Sequence, residues 1–206
     1  NRWMEAEKEF AAASAGGDRS PRTLAGMVLA ALYRGDGAEA RRRLDEAKRV
    51  APQSELTRLA DAATSVKAES FKAAIETLDS ITRSADAKQS AAWLILSDIR
   101  LYFGEADKAA DVLKDAIRRF PDDARLHAQL ARVYLFADRI GDGKLEADRA
   151  VQQDPSSFLA RIARGDLARI DGDGRTAERS FREAIALNAA DDRAWFGMGQ
   201  VNSERE

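Results

Sequence analysis

Cysteine is absent from the 206 residues, so neither a disulfide nor a thiolate metal site can form. That absence also leaves the compartment open, since such a chain behaves equally well in reducing and oxidising surroundings. Histidine occurs once, as His127, and no second imidazole or thiolate is present to complete a zinc site. Proline is scarce: Pro21, Pro52, Pro121 and Pro155 all lie outside the strongly periodic stretches. No apolar run approaches the roughly 20 residues needed to span a bilayer, so direct membrane insertion is not expected. Basic surplus is missing as well, with 33 Lys and Arg against 35 Asp and Glu, and no nucleic-acid partner is expected. Alternating β-branched runs with Asn-Gly turns do not occur either.

What remains is helical. Alanine runs such as Ala11-Ala12-Ala13 favour helix because alanine loses no side-chain entropy there, and charges of both signs interleave as on solvated helix faces. The fold class is all-α. Laying the chain on itself exposes a repeat, with Pro52, Pro121 and Pro155 separated by 69 and 34 residues. On that period a small residue recurs as Ala6, Ala40, Ala74, Ala109, Gly143 and Ala177. Four positions later stand Phe10, Leu44, Leu78, Leu113, Ala147 and Phe181, and three beyond them Ala13, Ala47, Ile81, Ala116, Ala150 and Ala184. This spacing puts all three columns on one stripe of a helix, small residues admitting a neighbouring helix and the large one filling the gap.

A first helix precedes this second one in each unit. Its columns read Leu24, Leu59, Trp93, His127, Arg161, Trp195 and then Met27, Ala62, Leu96, Leu130, Arg164, Met198, and both tryptophans are expected in the core. Between the two helices lie Gly35-Asp36, Gly104-Glu105 and Gly172-Asp173, where glycine can end one helix and the acid can cap the next. After the second helix the prolines stop the chain, and Ser54, Asp122 or Ser156 can start the next helix. Between the second and third units the register shifts by one residue.

The series Trp93, Leu96, Gly104, Ala109, Leu113, Ala116, Pro121 resembles the tetratricopeptide repeat, as does Gly165, Gly172-Asp173, Ala177, Phe181, Ala184 leading into Trp195 and Met198-Gly199. The resemblance covers the whole chain as one domain, 1–206. It reads as a half repeat over 1–20, full repeats over about 21–55, 56–89, 90–123, 124–157 and 158–191, and a half repeat over 192–206. Because both ends fall inside repeats, the sequence is expected to be a segment of a longer array. The fourth repeat has Asp138 at its turn, and Gly143 with Ala147 is expected to leave its stripe underfilled and to make it the least stable unit.

The resemblance implies a right-handed superhelical solenoid of antiparallel helix pairs whose concave face is lined by the first helices. It assigns partner contacts to the second, fifth, ninth, twelfth and thirteenth residues of each repeat. Carried onto this sequence, the candidates are Tyr33, Lys67, Leu94, Asp98, Tyr102, Arg132, Phe136, Asp166 and Arg169, with Thr64, Phe196 and Gln200 also on the lining. This mixture suits a protein or peptide partner, apolar residues giving affinity and Asp98, Arg132 and Asp166 giving register. The ninth positions carry no Lys and Asn pair, which excludes the carboxylate clamp by which some members hold chaperone tails.

No catalytic, metal or cofactor constellation is visible, so no enzyme activity is expected. Asp171-Gly172-Asp173-Gly174 lacks the acid a calcium loop would need, since Arg182 stands there. Arg41-Arg42-Arg43 reads as a basic run whose last two members face solvent. The expected function is a protein-interaction scaffold, with a bacterial envelope, secretion or assembly system as one setting. The alternative is a structural spacer or self-association arm working through open solenoid ends. Similar arrays serve in the bacterial periplasm or cell envelope and in the cytoplasm, so the compartment stays open.

Overall fold

The computed structural model describes residues 2–204. Among them are twelve α-helices and no strand: α1 (Arg2–Ala15), α2 (Pro21–Tyr33), α3 (Gly37–Val50), α4 (Glu55–Lys67), α5 (Phe71–Thr82), α6 (Ala91–Tyr102), α7 (Ala106–Arg119), α8 (Ala124–Phe136), α9 (Ile140–Gln153), α10 (Phe158–Ile170), α11 (Gly174–Leu187) and α12 (Asp192–Ser203). They divide into two compact units, Asn1–Ile99 and Arg100–Glu206. Within each unit a first helix packs on its own second helix, as α2 on α3, α4 on α5, α8 on α9 and α10 on α11. First helices also pack on the next first helix, as α2 on α4, α8 on α10 and α10 on α12.

The turn between paired helices is built the same way each time. One residue with positive φ recurs at 35, 69, 104, 138 and 172. Glycine holds three of these places, where a left-handed backbone carries no Cβ penalty, but Glu69 (φ 57°) and Asp138 (φ 55°) hold the other two. Asp36 and Asp173 then cap α3 and α11 by accepting the backbone N–H of Glu39 and Thr176, each at 3.0 Å. Four-residue linkers join α3 to α4, α7 to α8, α9 to α10 and α11 to α12. Their last residue is the cap, so α8 is capped by Asp123 and α10 by Ser157, one residue beyond the Asp122 and Ser156 expected.

The shift in register has its place in unit 1. The linker between α5 and α6, residues 83–90, is longer than the others, and α5 is shorter than its counterparts. The extra residue therefore follows α5, and Arg58 rather than Leu59 stands at the position of Leu24. Glu55 at the start of α4 pins this linker, its carboxylate accepting the N–H of Lys88 at 2.8 Å and of Gln89 at 3.2 Å.

The small–large–small stripes form the cores. In unit 1 Ala40, Leu44, Ala47, Ala74, Leu78 and Ile81 are all buried, and in unit 2 Ala109, Leu113, Ala116, Ala177, Phe181 and Ala184 are too. Bulk on one helix is met by glycine on another. Phe181 lies against Gly165 of α10 and Gly197 of α12, where an added Cβ would come within 2.6 and 2.4 Å of the ring. The stripe of α9 is not underfilled. Leu167 of α10, wholly buried, reaches the space at Gly143, where a Cβ would sit 2.6 Å from its methyl. A glycine and an alanine in register mark a place that a neighbouring leucine enters, so the expected weak point in the fourth pair is a packed one.

Candidate interaction surface

The open face of the first helices is set by what their second helices leave uncovered. In unit 1, Tyr33 ends α2 and is 65% exposed, Lys67 ends α4 and is exposed, and Asp98 of α6 is exposed beside a half-buried Leu94. Thr64 does not belong to this face in the same sense, because its hydroxyl donates to the Ala60 carbonyl of its own helix at 2.8 Å. A cavity of about 550 Å³ opens at the start of α2 and α4, between Arg22, Leu56 and the 83–90 linker. Its trace in the sequence is the one-residue register shift between the second and third repeats.

In unit 2, Tyr102 is 73% exposed, Phe136 68% and Ile170 49%. Each is the last residue of its first helix, and they stand 34 residues apart. Ile170 is the thirteenth residue of its repeat, the place of Tyr102 and Phe136, and was left out of the candidates although the pattern points to it. The Tyr102 ring meets Phe103 edge-on, centroids 5.2 Å apart. Arg132 is exposed on α8, whereas Asp166 and Arg169 are half-buried on α10. Arg169 donates to Glu204 at 2.7 Å. Burial pushes the Asp166 carboxyl up to about 6, with Arg169 and Arg193 opposing that rise. Proximity among the nine candidates is thus shown for Asp166 and Arg169, while the others are distributed along the helices.

The remaining charged motifs are consumed by the fold. His127 is buried with Nδ1 2.5 Å from Glu146, which also accepts Arg149 at 2.6 Å. Asp171 pairs with Lys144 and Asp173 caps α11, which leaves that loop engaged in structure. Arg42 and then Arg43 bind Glu39 and hold its carboxyl down to about 2, so the basic run is answered within its own helix. Arg43 is accordingly half-buried rather than facing solvent. Trp195 departs most from expectation: it is 54% exposed, its indole donating to the Ala189 carbonyl at 3.1 Å.

Paired helices of this period, closed by a left-handed turn and a small–large–small stripe, define the class. Residues 90–133 match the model of the tetratricopeptide repeat family. A thermophilic TPR protein of Thermus thermophilus superposes with a TM-score of 0.75 at 18% identity, over 89% of this chain and 100% of that one. MamA from Desulfovibrio magneticus, from its residue 41 to the end, gives 0.60 at 19% identity over 85% and 98%. Cut9, solved in the APC/C hetero-tetramer Cut9–Hcn1, gives 0.76 at 13% identity over 98% of this chain and 40% of that chain. No curated protein matches the chain in sequence. The chain has the all-α repeat fold of tetratricopeptide-repeat arrays. That fold generally mediates protein–protein interaction, and scaffolds built on it are generally not enzymes. Among the described residues no helix is long and apolar enough to cross a membrane.

Proposed function

We propose that this chain is a scaffold that holds a partner polypeptide on the open face of its first helices. The observation that carries this reading is the exposed Tyr102, Phe136 and Ile170, the last residues of the first helices α6, α8 and α10. Large apolar side chains recurring in one place of the repeat are what an elongated apolar-anchored segment would use. Arg132 and Asp166 offer that segment charges of both signs for register. The structural relative Cut9 is solved with a second polypeptide, Hcn1, which fits such a role. The setting we favour is a bacterial envelope, secretion or assembly system.

Partner capture from lysate, repeated with Tyr102→Ala plus Phe136→Ala, tests the assignment. Loss of the captured protein is expected, and undiminished recovery would remove the open face from consideration. A second reading rests on α12, where Trp195 (54%) and Phe196 (69%) are both exposed. Here the chain would associate with itself through that helix. Light scattering would then show a dimer that Trp195→Arg dissolves, whereas a monomer at all concentrations would dispose of the reading.

A further inference from the structure

Asp166 is a charged group of unit 2 that the fold withdraws from water without giving it a hydrogen bond. It is half-buried on α10 and makes no hydrogen bond or ion pair among the described residues. The two cations close enough to act on it are both committed elsewhere. Arg169 is bound to Glu204 at 2.7 Å, and Arg193 holds both oxygens of Asp191 at 2.9 and 2.7 Å. The charges that act on Asp166 are these two guanidiniums, and its burial outweighs them both. A carboxylate withdrawn from water without a donor is costly, and the native state keeps it all the same.

Helical spacing fixes what lies beside it. Leu159, Ile162 and Ile170 stand seven and four residues before and four after Asp166, on the same stripe of α10. Leu159 is 48% exposed and Ile170 49%, while Ile162 is buried beneath. The face therefore offers an apolar patch, a bare carboxylate and a second apolar patch in that order. Burial has already pushed this carboxyl up to about 6, the behaviour of an anion short of a partner.

We infer that the segment held on this face presents a lysine or arginine to Asp166, between apolar side chains that cover Leu159 and Ile170. This rests on the open-face reading and adds to it the chemistry of the occupant. An acidic segment would set a second carboxylate against Asp166, and an all-apolar one would bury the carboxylate with nothing to meet it.

The probe is a library of random short peptides selected on the intact chain, with binders then measured by fluorescence anisotropy. Selected peptides are expected to carry a basic residue flanked by apolar ones. Asp166→Asn, which keeps shape and removes charge, should weaken them by about tenfold or more. Replacing the basic residue by norleucine should weaken wild-type binding equally, and the asparagine variant should not distinguish the two peptides. Binders without basic residues, or with equal affinity for the variant, overturn the inference. If their affinity still falls with Tyr102→Ala plus Phe136→Ala, the open-face reading survives that failure. Binders indifferent to both changes overturn the two together, as does a selection that yields none.

Discussion

His127 and Trp195 hold the same place in the repeat, three residues after the start of α8 and of α12, yet they live in different surroundings. His127 is buried and joined to Glu146 of α9, its own second helix, while Trp195 is 54% exposed on a helix that no second helix follows among the described residues. The far more apolar residue is the one left in water. Burial at this position is conferred by the partner helix and not by the residue type. Trp93, at the same place in the repeat on α6, is 1% exposed and shows how much a tryptophan can bury there.

Substitution can break or sharpen this contrast. Trp93→Ala should cost about 3–5 kcal/mol in urea denaturation as a buried large-to-small change. A neutral result would mean that the position is not core even when covered. Glu146→Ala should cost about 1–3 kcal/mol, because it strands a buried imidazole nitrogen. The double change His127→Leu with Glu146→Leu should cost less than the sum of its parts, since it removes both polar groups together. Asp166→Asn should instead stabilise at pH 7, by about 1–2 kcal/mol after allowing for its partial exposure. The sign follows from a native carboxyl near 6 against an ordinary value of 3.8: stability from this group is gained as pH falls from about 6 to 4, and is missing above that. The variant should lose that part of the pH dependence, and an unchanged profile would show Asp166 to be solvated. Trp195→Ala should stay within about 1 kcal/mol, as expected of a residue that is more than half in solvent.

The fold was legible in the sequence because the period is carried by buried residues. Ala109, Leu113 and Ala116 need no partner knowledge to be recognised as one stripe. Packing that depends on another helix was not legible. Gly143 looks like a void until Leu167 of α10 is found in it, and Trp195 looks like core until the helix that should cover it is sought. The turn at Glu69 was obscured for another reason: a left-handed residue other than glycine leaves no compositional mark, whereas the period alone placed Asp138 at its turn. Of the candidate surface, the end-of-helix aromatics follow from the period, and Ile170 would have followed from applying it once more. Asp166 could be placed on the face by spacing, but its lack of a partner depends on Arg169 and Arg193 being bound to Glu204 and Asp191, which spacing does not reveal.

The most direct test of the open-face account is the affinity of a captured partner for two variants measured side by side. Tyr102→Ala plus Phe136→Ala should weaken binding by about tenfold or more, as expected for truncated apolar anchors, while Trp195→Ala leaves it within about twofold. Equal affinity for wild type and the first variant, with loss confined to Trp195→Ala, would contradict the account and move the binding surface to α12.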